Sequence, residues 1–306
     1  MYNLFRLVYS SLEFLIELYW LGIKISFAFV ESGYRFFSPK PLKRLNTERI
    51  LVIGTGRGLG RELALQLSCH GAEVICWDVD EKSNQATVNE TRHFNGRAIA
   101  FTCDVTNRAD VRRVAERTRQ EVGEVTMVIQ CCGLSSPHAL LNRSLQKVKQ
   151  TFELSVLSHF WLLDEFLPPM LSSGRGHWVT LSSVAGLTGQ PHHTSMAASQ
   201  FAVQGLSEAL AQQYWKKPNI HVTLVHIYPF LLSADLKSNI RLRISSYFNT
   251  MDPGEAARLI ISGVRRNAAE ISIPENALLY SKLLRLLPRK SSQIIRDLLD
   301  TGVDFG

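Results

Sequence analysis

Gly54, Gly56, Gly58 and Gly60 fall on alternate positions directly after the apolar run RILVI, and a carboxylate, Asp78, follows Gly54 by 24 residues. Glycines spaced in this way let a backbone approach a pyrophosphate, which the positive end of the next helix then attracts. An acid at that distance accepts hydrogen bonds from the hydroxyls of an adenine ribose and repels a 2′-phosphate. The chemistry indicated is dinucleotide binding, with NAD favoured over NADP. Arg57 works in the other direction, because a guanidinium suits a phosphate. A glycine loop alone also fits an ordinary tight turn; the loop together with its flanking strands, helix and acid is far more specific.

A second stretch, SMAASQFAVQG (195–205), opens an apolar helix soon after the strand-like GHWVTLSSVAG (176–186). Met196 and Gln200 lie on adjacent turns of one helix face, and neither carries an ionisable proton. His159, His192 and His193 are the titratable groups that could replace a missing acid at neutral pH. Packing in a helix interface explains His159 equally well, and an exposed loop explains the other two.

These residues need elements to hold them. RILVI (49–53), EVICWD ending at Asp78, RAIAFTCDVT (97–106) with its strand ending at Asp104, VTMVIQCCG (125–133), GHWVTLSS and HVTLVHIYP (221–229) read as strands. Their continuous apolar runs suit burial on both faces. Helical patterns alternate with them, including the long VKQTFELSVLSHFWLLDEFLPPML (148–171) and the helix at 196–215. The expectation is an α/β Rossmann fold with a doubly wound parallel sheet. Three regions are expected: 1–45, a membrane-associated helix and basic linker; 46–275, the Rossmann domain; and 276–306, a helical tail.

The first forty residues are rich in Leu, Ile, Phe, Tyr and Trp, yet Arg6, Glu13, Glu17, Lys24, Glu31 and Arg35 interrupt them. At about 100° per residue these charges share an arc of about 40°, which predicts a helix with a narrow charged stripe and a wide apolar face. A spanning segment needs about 20 uninterrupted apolar residues. A helix embedded in one leaflet fits better, and charges within the apolar stretch argue against a cleaved signal peptide. Basic residues after the segment (Arg35, Lys40, Lys43, Arg44) suit an anionic cytoplasmic surface. The five cysteines are read as reduced. The formal charge of +7 is dispersed, which argues against nucleic-acid binding. No Cys/His cluster has metal-ligand spacing.

From about residue 47 to 275 the chain resembles the short-chain dehydrogenases/reductases, and most of all their membrane-anchored branch of retinol and 17β-hydroxysteroid dehydrogenases. The family's Thr-Gly-x-x-x-Gly-x-Gly turn falls on Gly54, Gly58, Leu59 and Gly60, with Ile53 in place of Thr. The resemblance assigns Asp78 to NAD selection, Asp104 and Val105 to the adenine, and Pro229 to the nicotinamide end, with Ala234 where a Thr is usual. Asn-Asn-Ala-Gly becomes Gln130-Cys131-Cys132-Gly133. The catalytic Asn falls on Ser155, the Ser on Ser183, and the Tyr-x-x-x-Lys pair on Met196 and Gln200.

The family's reaction couples a proton transfer to a hydride transfer. A Tyr hydroxyl, with a pKa near 10, is tuned by the Lys ammonium toward the working pH. Met196 is at most a weak acceptor, and Gln200 has no charge to shift a pKa, although its amide could bond a ribose hydroxyl. Of the catalytic set only Ser183 is retained. The resemblance therefore implies an NAD-binding protein of the endoplasmic reticulum membrane or of a lipid droplet, its globular domain facing the cytosol, with catalysis lost or much reduced. The alternative is an active NAD(P)-dependent oxidoreductase on a lipophilic alcohol or ketone such as a retinoid, steroid or fatty alcohol. Dimerisation through the helices at 148–171 and 196–215, with a like or an unlike partner, is a further implication of the family.

Overall fold

A computed structural model describes residues 2–38, 41–133, 145–183, 186–187, 189, 194–227, 251–275 and 277–299. The chain divides into two compact units, 1–43 and 44–306. The first is a single helix, α1 (Tyr2–Phe37). Its 36 residues reach about 54 Å at 1.5 Å per residue. Phe14, Tyr19, Trp20, Phe27 and Phe29 are exposed along it, as are Glu13, Glu17, Lys24 and Glu31. Among the described residues, no helix is long and apolar enough to cross a membrane.

The second unit runs β1 (Arg49–Ile53), α2 (Gly58–Cys69), β2 (Glu73–Asp78), α3 (Glu81–His93), β3 (Arg97–Thr102), α4 (Arg108–Glu121), β4 (Met127–Gln130) and α5 (Leu145–Phe152). A π turn, Glu153–Leu157, joins α5 to α6 (Ser158–Ser173). Then come β5 (Gly176–Ser183), α7 (Thr194–Tyr214), β6 (Ile220–Ile227), α8 (Pro253–Arg265), β7 (Glu270–Ile273), α9 (Ala277–Leu286) and α10 (Arg289–Leu299). The sheet order is β3-β2-β1-β4-β5-β6-β7, with every pairing parallel. This is the doubly wound arrangement expected from the sequence. Strand order reverses between β1 and β4, and the crevice at their carboxyl ends is where such sheets bind ligands.

Strand residues alternate between two apolar layers, because successive side chains leave a strand on opposite faces. Ile50 and Val52 pack with Leu63 and Leu67 of α2 and Ile260 and Val264 of α8. Leu51 and Ile53 pack with Val111 and Val114 of α4 and Leu162 and Phe166 of α6. Trp77 sits in the second layer, edge-on to Phe166, and its indole N–H donates to Thr118 Oγ1 at 3.2 Å.

Two strands are shorter than their apolar runs suggest. β3 ends at Thr102 rather than at Asp104 because Asp104 Oδ1 accepts from Thr106 N at 2.9 Å and from Thr106 Oγ1 at 2.7 Å, which turns the chain away. β4 ends at Gln130, before the left-handed Gly133 (φ 100°). The short edge strand β7 is an addition to the elements read from sequence.

Candidate active site

The glycine turn lies in the β1/β4 crevice. Gly54 leaves β1 with φ 89°, and a Cβ there would sit 3.2 Å from the backbone nitrogen of Cys132. Gly60 in the first turn of α2 packs so closely on the turn that a Cβ would lie 1.9 Å from Gly54 O. Gly58 has φ 58° with open space around its missing side chain. Arg57, exposed and extended, precedes α2 without capping it through its side chain, and the first turn of α2 holds no acid. The helix thus begins with uncapped amides beside a concave backbone, a favourable seat for an anion. Leu59 packs against the core on the α2 side of the sheet.

Asp78 closes the other side of this cradle. Its Oδ2 accepts from Gly56 N at 2.7 Å and its Oδ1 from Asp80 N at 2.9 Å. A Cβ on Gly56 would come within 3.0 Å of the carboxylate, so glycine is what lets the acid approach. The adenosine half of a dinucleotide fits these residues: a cradle that side chains would fill, with a half-buried carboxylate at its rim.

Three residues that the motif reading passed over hold the turn in place. Buried Thr55 donates to Asn84 Oδ1 at 2.7 Å, and its carbonyl accepts from Thr87 Oγ1 at 2.9 Å. Asn84 Nδ2 in turn donates to Cys76 O and Phe101 O, on β2 and β3, at 3.0 and 3.1 Å. The available signal is that Asn84, Thr87 and Thr91 recur on one side of α3 where leucines would be expected, and all three are buried. Asp104 is exposed and shapes the β3–α4 turn, whereas Val105 enters the core.

At the ends of β4 and β5 the structure brings together Gln200, Ser155, Ser183 and Gly133. Gln200, on α7, is 1% exposed. Its Oε1 accepts from Ser183 N at 2.8 Å and from Ser182 Oγ at 3.1 Å, and its Nε2 donates to Gly133 O at 3.4 Å. The amide thus bonds the protein's own groups, two of them backbone and one the Ser182 hydroxyl. Its reach matches the gap between β5 and Gly133, and a buried amide takes the partners at hand. Ser155, in the π turn, donates to the same Gly133 carbonyl at 2.8 Å. Ser183 is buried at the end of β5. Met196 is half-buried, and its carbonyl accepts from Ser199 Oγ at 2.8 Å. Beside them Gln130 Nε2 donates to Ser158 Oγ at 2.7 Å.

His159 cannot act as a substitute charged acid. It is 1% exposed on α6, and burial pushes its pKa down to about 3. Its Nδ1 is buried with no hydrogen-bond partner. His192, His193, Pro229 and Ala234 lie outside the described residues. All five cysteines are free thiols. Cys131 and Cys132 pack on opposite apolar layers, as their adjacency in an extended segment requires.

Residues 48–244 match the family model described as short chain dehydrogenase. Human 17-beta-hydroxysteroid dehydrogenase 13 is 27% identical over 284 residues, covering 93% of this chain and 94% of that protein. Mouse epidermal retinol dehydrogenase 2 is 30% identical over 261 residues, covering 85% and 84%. A short-chain dehydrogenase/reductase from Burkholderia phymatum, solved in complex with NAD, superposes with a TM-score of 0.68 at 21% identity, covering 80% of this chain and 95% of that one. With the glycine turn, the parallel sheet and these likenesses in agreement, the chain belongs to the short-chain dehydrogenase family, in its retinol and 17β-hydroxysteroid dehydrogenase branch.

Proposed function

We propose that this chain binds NAD at the glycine cradle and contributes little or no catalysis, acting by association at a lipid surface. The observation that carries the reading is Gln200: an uncharged amide bonded to Ser183 N, Ser182 Oγ and Gly133 O stands where the family places its lysine. NAD supplies a hydride acceptor, and NADH a hydride donor, when bound. The protein must supply the proton, and Met196, Gln200 and Ser155 have no ionisable group to move one. Positioned acid–base catalysis is typically worth about 10²–10⁴ in rate, so its loss leaves very slow turnover. Asp78 beside Gly56 supports NAD over NADP, and Ser183 keeps a hydroxyl at the end of β5.

The exposed aromatic residues of α1 and the basic residues after it support attachment to the cytosolic face of the endoplasmic reticulum or to a lipid droplet. The helices at 148–171 and 196–215 are the proposed dimer surface, with a second copy or an active relative as partner. Leu157 and Phe160, on the first of these helices, are exposed and support that reading. A second reading, an active oxidoreductase on a lipophilic alcohol or ketone, draws on family membership and on the retained Ser183.

Purified full-length protein in detergent separates the two. NADH binding, followed by cofactor fluorescence, is expected to saturate while steroid and retinol panels show no turnover above the protein-free rate. Sustained turnover would establish the second reading, failure to bind NADH would overturn the first, and failure to bind either NADH or NADPH would overturn both.

A further inference from the structure

Helix α9 is oriented in an unusual way for a helix that serves only its own domain. Ser281 faces the protein at 4% exposure, while Leu279, Tyr280, Leu283, Leu286 and, one residue beyond the helix, Leu287 are exposed, Leu286 to 81%. At about 100° per residue these five share an arc of about 120°, opposite Ser281. Two contacts fix this rotation. Lys282 Nζ donates to Glu270 Oε2 on β7 at 2.6 Å, and the Arg285 guanidinium lies 5.2 Å over the ring of Phe201 on α7. Glu270 also accepts from buried His226, and these partners, His226 first, hold its carboxyl down at about 2, so the anchoring anion persists at ordinary pH. Helix α10 repeats the inversion, with Ser292 buried and Ile294 exposed.

Charge identifies what covers this face. Residues 277–299, which span α9 and α10, contain Lys282, Arg285, Arg289, Lys290 and Arg296 against a single acid, Asp297. An apolar arc on a segment with this cationic excess matches the acyl and phosphate layers of an anionic phospholipid surface. A second copy would bring cation against cation, which disfavours self-docking.

We propose that the outward face of α9, extended by α10, is a lipid-contacting surface that seats the globular unit on an anionic phospholipid layer, separately from any attachment through α1.

The test is hydrogen exchange on the full chain, with and without phosphatidylcholine vesicles containing phosphatidylserine. The expected result is slowed exchange at 277–287 on adding vesicles, absent in Leu283→Glu/Leu286→Glu. That variant should also co-sediment with the vesicles about tenfold or more weakly, since each leucine withdrawn from lipid forfeits burial worth at least that factor. Protection of α1 with none at 277–287 would overturn this proposal and leave attachment through α1 standing. Protection at 277–287 that grows with protein concentration in the absence of vesicles would overturn it in favour of a second copy.

Discussion

Replacing Gln200 with alanine tests whether that side chain is a structural tie. The substitution takes the acceptor away from Ser183 N, held at 2.8 Å in a buried setting. A buried N–H robbed of its acceptor costs about 1–3 kcal/mol. The other two contacts are better insured. Gly133 O keeps Ser155 Oγ at 2.8 Å, and Ser182 Oγ also reaches Ser183 O at 3.3 Å. Losing the buried side-chain atoms adds about 1 kcal/mol, giving a total of about 2–4 kcal/mol. For a domain of this size that is a fall in Tm of about 5–15 °C. Gln200→Lys should also destabilise, because an ammonium donates but cannot accept from Ser183 N. Thermal unfolding in detergent reads both, with Gln85→Ala on the exposed face of α3 as a control expected to change little. If Gln200→Ala and Gln200→Lys melt within about 1 °C of the parent, the amide contributes less than one net hydrogen bond and the reasoning fails.

Gly60→Ala should weaken NADH binding about tenfold or more, because its Cβ would fall 1.9 Å from Gly54 O and force the cradle open; fluorescence titration checks it, and unchanged affinity would remove the cradle from the site. His159 is neutral when folded, with a pKa of about 3 against 6.5 when exposed, so it contributes stability above pH 6.5 that is lost as the pH falls from 6.5 toward 3. His159→Leu should accordingly lose less stability than the parent across that window, read from urea midpoints at several pH values. Among the five thiols, exposed Cys69 should react first with a maleimide in the native state. Burial pushes Cys76 up to about 12 and raises Cys103 as well, so both should label only on unfolding, as peptide mass mapping will show.

Much of the fold was legible because its signals are local. Continuous apolar runs mark strands buried on both faces, and Gly54 and Gly60 mark a turn that tolerates no Cβ. The brace of Thr55, Asn84 and Thr87 was harder to read, since its polar atoms find partners on two other elements that only the folded chain brings near. The same holds for Gln200. Its type shows that a charge is missing, but its inward bonding depends on the separation of β5 from Gly133. The edge strand β7, four residues long, is too short for its alternation to stand out. Asp104 shows how a local cap overrides strand propensity: an Asx turn ends β3 two residues before the apolar pattern does.

The central claim concerns the missing proton path, and the most direct measurement compares NADH-linked turnover by the native protein with that of Met196→Tyr/Gln200→Lys. Steroid and retinoid carbonyls would be offered to both, below the melting temperature of the variant. The account predicts that both bind NADH and that only the double variant turns over. Turnover by the native protein, unchanged or lowered by the two substitutions, would contradict it.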